Sequence, residues 1–550
     1  MEAYKKNSII TGEYDRSLSA SCVNGTFVGR ENDGVTAFRG IPFAQPPVGK
    51  LRWKDPVPVT ESNAVYEAYH NGSSPIQTKL DSERASLYHQ SEDCLYLNVW
   101  TAAGYAGQKR AVMVFIHGGN YGWGGTADPL YDGHNFVKAH PEIVLVTIAY
   151  RVGIMGFVDF STVPGGEDYP TAGNLGLLDQ ICALRYIQSN IASFGGDPSN
   201  VTVFGESAGG GSVSLLPLIP AAKGLFTKVI AQSGSVALTY SRKECRKVTD
   251  MLLKETGAKT MRELAALPIE TIIKANVKLN DCNNFPERDG RVLPENLYEA
   301  YENGEALPVK MMIGTNADEL RYWIQDVGGI GHYKVMSRIL LTGILRLMKN
   351  KDRKRVYSFL RYIKRWEPHR TWRITELFNE LLFRLPAVRQ GQAHAAYGNR
   401  VYMYYWKYPS ALPYMGACHA VELAYVFNNL DETIYTGDNI NAELAALVQK
   451  MWVNFAVTGD PSADGLEWEP YTAKSRKTMV FDTDTHMEDD LNSTERRLLM
   501  PLLDYRINGN YTAAPTEVPT GVKLTAAAAG IGIAALVIWR SFCKDSGGSQ

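Results

Sequence analysis

From Ala111 onward, short apolar runs alternate with amphipathic stretches, and this alternation restricts the fold more than any other feature of the chain. Apolar runs stand at Val112–Ile116, Ile143–Ala149, Val201–Phe204, Val229–Ile230 and Met311–Ile313, and each meets Gly or Ser within a few residues. A helical pattern is clearest from Leu177 to Ile191. Strands with no polar alternation are buried on both faces, and helices between them supply the cover. The chain is therefore α/β, with a mostly parallel sheet between helical layers. Upstream, residues 19 to 99 read as short strands and turns, with Val23-Asn24-Gly25 a turn signal and Leu95–Val99 a strand. Residues 334 to 400 read as mostly helical, and Val401–Trp406 returns to a strand.

With 550 residues, 45% of them hydrophobic, the chain can bury a large core without disulfides or metals. Its 57 Lys and Arg balance 58 Asp and Glu, so no global field attracts nucleic acid, and none is expected as a partner. The seven cysteines are scattered, odd in number and without ligand spacing, which indicates thiols in a reducing compartment and no metal site. No nucleotide-binding glycine loop occurs, so no cofactor is expected. The first residues lead into no apolar segment of the kind a secretory signal needs.

Chemistry enters at Phe204-Gly205-Glu206-Ser207-Ala208-Gly209-Gly210. A Gly-x-Ser-x-Gly between an apolar strand and a small-residue helix start is a nucleophile elbow, in which a strained turn presents the serine. Gly205 and Gly209 would leave room for neighbouring backbone. His117-Gly118-Gly119-Asn120 follows directly on the run Val112–Ile116, where glycines at a strand end free backbone N–H groups for an oxyanion. Gly119 and Asn120 are the expected donors, with Ala208 as the third.

A serine needs a base, and the base needs a carboxylate to hold its tautomer. In this fold type the chain order is nucleophile, acid, histidine, which leaves His332, His369, His394, His419 and His486 as candidates. His369 and His486 lie in charged, solvated stretches, His394 in a helical pattern, and His332 too soon after any acid-bearing strand. His419 remains, in a small-residue loop after Val401–Trp406. For the acid, Asp318 and Glu319 follow the run Met311–Ile313, and by residue type alone the two are nearly interchangeable.

These residues resemble a family. Phe194-Gly195-Gly196-Asp197-Pro198-Ser199-Asn200-Val201 through Gly209 is similar to the serine signature of type-B carboxylesterases, the cholinesterase-like group, and Glu92-Asp93-Cys94-Leu95-Tyr96-Leu97-Asn98-Val99 resembles their second signature. Asn174 to Gln180 and Gln232-Ser233-Gly234-Ser235 fit as well, and the likeness runs from about Cys22 to Leu503, nearest the bacterial para-nitrobenzyl-esterase-like members. The resemblance implies an α/β-hydrolase fold with helical cap insertions, a small-molecule carboxylic ester as substrate and an acyl-enzyme intermediate. Its Gly-x-Asn-x-x-Glu pattern places the acid at Glu319 and its Gly-x-x-His the base at His419, giving a triad Ser207, Glu319, His419. Animal relatives pair the cysteine at Cys94 with an upstream partner, but none lies between Cys22 and Cys94, so Cys94 is expected as a buried free thiol. Choline-binding members carry a Trp within the corresponding loop, and residues 61 to 94 hold none, which disfavours a choline ester. Some relatives are adhesion scaffolds that lack the serine; here the whole constellation stands.

The expected organisation is a catalytic domain over 1–507, a linker over 508–522 and a hydrophobic tail over 523–550. Leu524 to Trp539 carries no charge between Lys523 and Arg540, as a C-terminal membrane anchor would, with the catalytic domain on the cytoplasmic side; the alternative is a soluble cytoplasmic enzyme. Val335 to Arg373 mixes leucines and isoleucines with a dense basic run, a solvated face or a cap that touches anionic lipid.

Overall fold

The computed structural model describes residues 4–77, 87–279, 284–463 and 465–507. An eleven-stranded sheet runs through the molecule. Its strands are β1 (Arg30–Asn32), β2 (Val35–Pro42), β3 (Tyr96–Ala102), β4 (Arg110–Ile116), β5 (Ile143–Ile148), β6 (Gly196–Glu206), β7 (Lys228–Gln232), β8 (Lys310–Asn316), β9 (Val401–Trp406), β10 (Lys477–Phe481) and β11 (His486–Asp489). Their order is β11-β10-β9-β8-β7-β6-β4-β5-β3-β2-β1. The strands from β10 through to β5 are parallel, and the pairings beyond β5 and at β11 are antiparallel. Three further strands, Ser19–Cys22, Gly25–Val28 and Val65–Glu67, form a small sheet beside it. This is the α/β-hydrolase architecture.

The central strands are buried at nearly every residue because both faces are covered. On one face Val112, Val114, Val203, Val229 and Met311 pack with Leu177, Ile181 and Leu184 of α1 (Leu175–Asn190). On the other, Met113, Phe115, Phe204, Ile230, Met312 and Tyr404 pack with Phe427 and with Met451, Trp452 and Phe455 of the helix Ala442–Thr458. Alternate residues thus face opposite layers, which is why each run is apolar without a break. The expected strand Val201–Phe204 begins five residues earlier, at Gly196, since the turn-like Gly-Asp-Pro-Ser-Asn segment is drawn into pairing with Arg110.

The helical region builds a separate apolar cluster from α3 (Ile330–Leu347), α4 (Asn350–Tyr362) and α5 (Arg370–Asn379), joined by Leu499 and Leu502. A π-helical turn, Glu380–Arg384, carries α5 into α6 (Leu385–Ala395). These helices are inserted between β8 and β9 in the chain, and Phe383 of the π-helical turn reaches His419 in the loop after β9. Among the described residues no helix is long and apolar enough to cross a membrane. The linker and tail, residues 508–550, lie outside the described residues, as do Cys282 and Cys543. Cys94 is a buried free thiol.

Candidate active site

Parallel register brings the chemistry to one edge of the sheet. Ile116 at the end of β4 lies opposite Gly205 on β6, and Gln232 at the end of β7 lies opposite Glu206. Ser207 therefore leaves β6 at the middle of the sheet, flanked by the loops after β4 and β7, where α/β sheets place ligands. Its φ is 56° and ψ −119°, a conformation that costs about 1–3 kcal/mol and persists only where neighbours enforce it. Three contacts do so. A Cβ on Gly209 would sit 1.9 Å from the Ile116 carbonyl oxygen, one on Gly205 2.6 Å from the same atom, and one on Gly234 2.4 Å from the Ser207 carbonyl. The Ser207 N–H donates to Gln232 O at 2.9 Å and its carbonyl accepts from Gly211 N at 2.8 Å, opening α2 (Ala208–Leu215).

The loop after β4 closes over the serine. A Cβ on Gly118 would lie 3.2 Å from Ser207 Cβ, so Gly118 packs directly on Ser207. Gly119, Asn120 and Tyr121 follow with φ of 98°, 56° and 55°. The left-handed conformation at Asn120 suits the side chain that tolerates it best after glycine. The turn is closed by Gly122 N and Trp123 N donating to Gly119 O. Ala208 is the first residue of α2, so its N–H has no partner within the helix and stands at the positive end of the helix dipole. Ser207, Gly119 and Asn120 are half-buried whereas His117, Gly118 and Ala208 are buried, so the serine and the loop reach an accessible space. His117 braces the loop from beneath: its ring stacks on Tyr150 at 4.4 Å, and the Tyr150 hydroxyl donates to His117 O at 2.9 Å. Burial pushes this imidazole down to about 4, so it is neutral at ordinary pH.

Glu319 and His419 meet as a buried pair. Nδ1 of His419 is 2.5 Å from Glu319 Oε2, and both side chains are within 5% of complete burial. The second carboxylate oxygen of Glu319 accepts from Asn316 N at 2.8 Å. Nε2 of His419 lies 3.1 Å from Glu206 Oε1, within ion-pair reach, but neither atom has a hydrogen-bond partner. Nε2 thus makes no hydrogen bond, and Glu206 is the carboxylate beside it. A third carboxylate, Glu422, is buried nearby and accepts from Asn316 Nδ2 at 2.6 Å and Gln232 Nε2 at 3.1 Å. Burial lowers the proton affinity of His419, but the Glu206 and Glu319 carboxylates raise it further, to about 9. Burial likewise raises Glu206, to about 8, against the pull of His419. Protons in this cluster belong to the group of residues rather than to one of them. Half-buried Trp323 and Phe383 lie 5.3 and 5.1 Å from the imidazole and line it with apolar surface.

The other histidines stand apart. His332, His369 and His486 are exposed, and His394 is buried with Nε2 2.8 Å from Val309 O. Sequence reasoning missed Glu206 and Glu422 as neighbours of His419, although Glu206 stood inside the Gly-x-Ser-x-Gly motif and Glu422 three residues after His419. By residue type it also held Asp318 level with Glu319 as the acid. Asp318 is instead a brace: its Oδ2 accepts from Ala417 N at 3.0 Å, its N–H donates to Ala417 O at 2.9 Å, and it pairs with Arg321 at 2.8 Å. It holds the loop that carries His419 two residues later.

A model of the carboxylesterase family matches residues 16–499. The chain is 35% identical over 495 residues to the para-nitrobenzyl esterase of Bacillus subtilis, covering 87% of this chain and 97% of that one. It is 30% identical over 518 residues to the cholinesterase of Mus musculus, covering 85% and 82%. The crystal structure of the Geobacillus stearothermophilus carboxylesterase EST55 superposes with a TM-score of 0.78 at 34% identity, covering 88% of this chain and 99% of that one.

The two adjacent carboxylates are separable by experiment. Replacing Asp318 with Ala removes the brace but leaves the pair intact, and should lower kcat by about tenfold without moving the pH profile. Glu319→Gln removes the tautomer-fixing charge and should cost about 10³–10⁴ in kcat. Steady-state kinetics on a p-nitrophenyl ester would contradict the assignment if the two losses were equal.

Proposed function

The chain belongs to the carboxylesterase family and is a serine hydrolase of carboxylic esters, and from that premise we propose that Ser207, His419 and Glu319 are its catalytic triad, with the backbone N–H groups of Gly119, Asn120 and Ala208 as the oxyanion hole. The buried Glu319–His419 pair, whose Nε2 makes no hydrogen bond and lies beside Glu206, the residue before Ser207, carries the reading.

In this reading Ser207 Oγ attacks the ester carbonyl carbon as its proton passes to His419 Nε2. The carbonyl oxygen takes the negative charge and is held by the three N–H donors. Collapse expels the alcohol, which receives the proton from His419, and leaves an ester between the acyl group and Ser207. Water, deprotonated by the same nitrogen, then releases the carboxylic acid and restores the serine. Glu319 keeps Nδ1 protonated so that Nε2 is the acceptor. The apolar walls at Trp323 and Phe383 support small aryl or alkyl esters as substrates, and the Trp-free segment 61–94 argues against choline esters.

The raised proton affinity of His419 sets the pH dependence. The base works only when deprotonated, so kcat/KM should rise with pH through the neutral and mildly alkaline range. Glu206→Gln removes one of the carboxylates that hold the proton, and should move that limb to lower pH. A pH series of kcat/KM for both proteins tests this; a limb that stays put or moves upward contradicts it. Ser207→Ala should lose about 10⁴-fold or more in kcat with the fold intact by circular dichroism.

The tail supplies a second element of the proposal. The uncharged stretch between Lys523 and Arg540, behind a linker over 508–522, supports a C-terminal contact with a membrane. The full chain should then sediment with membranes and a chain ending at Asn508 should not, with equal activity on a water-soluble ester. A full chain that stays in the supernatant at low salt would sink this element.

A further inference from the structure

Outside the triad, the strongest unexplained feature is a groove between α3, α4 and α5. It is a cavity of about 450 Å³, a size usual for small-molecule sites. Four arginines, Arg346, Arg353, Arg370 and Arg373, converge on it, and no Asp or Glu is among its lining residues. Arg353 donates to the carbonyls of Met348 and Arg346, and Arg373 to those of Glu367 and Pro368. Among the described residues these two form no ion pair, and the guanidinium groups of Arg346 and Arg370 have neither a hydrogen-bond nor an ion-pair partner. Four cations gathered without a counter-charge repel one another, and an anion in the groove would relieve that. The planar guanidinium matches phosphate oxygens two at a time, which makes arginine the residue suited to such a ligand.

The rest of the lining is apolar. Leu341, Leu345, Leu360 and Ile374 form the walls, and Tyr357, half exposed, stands at the mouth. A free inorganic anion would gain nothing from these walls, whereas a chain attached to the anion would bury against them. Independently, three of the large apolar side chains left exposed on the molecule, Val335, Tyr357 and Trp366, belong to this same helical segment. From residue 334 to 373 the sequence carries thirteen Lys and Arg against Asp352 and Glu367 alone, in a chain whose total charges balance. Basic charge with exposed aromatics is the composition of a surface that meets anionic lipid.

We propose that the groove lined by Arg346, Arg353, Arg370 and Arg373 binds the phosphate headgroup of an anionic lipid, with the beginning of its alkyl chain on Leu345 and Leu360. The site is distinct from the triad. It sits at the first turn of α5, and about 13 Å of helix separates Ile374 from Phe383, the residue that touches His419. The headgroup could come from a dissolved amphiphile or from a bilayer, since both present the same phosphate.

Decyl phosphate separates this site from the ester-cleaving one, because it contains no carboxylic ester. Titrated calorimetrically into the full chain below its micellar concentration, it should bind at one site. Affinity should fall tenfold or more in the Arg346→Gln/Arg370→Gln variant and recover in part in Arg346→Lys/Arg370→Lys. Inorganic phosphate and decylphosphocholine should each bind at least tenfold more weakly than decyl phosphate. Hydrolysis of p-nitrophenyl acetate should be unchanged in both variants, which shows that they are folded. Sedimentation with vesicles of phosphatidylcholine containing one-fifth phosphatidylglycerol identifies the source: a deficit of the Gln variant relative to the parent assigns the bilayer, and equal sedimentation assigns the dissolved amphiphile. The proposal is overturned if the Gln variant binds decyl phosphate as tightly as the parent, or if inorganic phosphate binds as tightly as decyl phosphate.

Discussion

The carbonyl of Ile116 packs so closely on Gly205 and Gly209 that neither residue could carry a side chain, and the architecture of the site follows from that approach. Because β4 and β6 end side by side, the strand that delivers Ser207 and the strand that delivers the glycine loop reach the same point. The serine has to turn back sharply to let α2 begin, and Gly234, after β7, leaves the space beneath that turn. Strain at Ser207 is thus held by backbone packing from three strands. An arrangement built from main-chain contacts does not drift with side-chain rotamers, which is what a nucleophile and its oxyanion donors require.

Electrostatics adds a second constraint on the same volume. Three buried carboxylates, Glu206, Glu319 and Glu422, surround one imidazole. Burial of two of these acids is offset by N–H donors: Asn316 serves both Glu319 and Glu422, and Gln232, itself held by Trp452, serves Glu422, while Glu206 Oε1 faces the imidazole. In the proposed mechanism the imidazolium formed when Ser207 gives up its proton is the charge this field favours. A site that stabilises the protonated base before reaction also holds its proton more tightly, so the field that assists acylation moves the working range toward alkaline pH.

Much of this was legible in the sequence. The central strands could be read because helices cover both faces and force unbroken apolar runs. The edges could not: Arg30–Asn32 is polar throughout, His486–Asp489 is polar but for Met487, and each owes its strand form to a single neighbour. Residue chemistry singled out Ser207 and His419 as candidates, whereas Asp318 and Glu319 stayed equivalent until the resemblance to a family separated them. The structure explains the ambiguity. Both carboxylates face the His419 loop, Glu319 toward the ring and Asp318 toward the backbone of Ala417. Glu206 and Glu422 were hidden for a related reason, since a buried acid looks like a surface acid until its distant neighbours are known.

The helical insertion between β8 and β9 links the two halves of the account. It contributes Phe383 to the wall around His419, and Asn379, whose side chain accepts from Leu320 N, steadies the residue after Glu319. At its far end the same insertion carries the arginine groove. The central claim remains that Ser207 is the nucleophile of this site. It is tested most directly by treating the protein with a p-nitrophenyl alkylphosphonate and mapping the adduct by peptide mass spectrometry. One phosphonyl group per chain, on the peptide containing Ser207 and absent from Ser207→Ala, is the expected result. A stoichiometric adduct on any other residue, with activity lost in parallel, would contradict it.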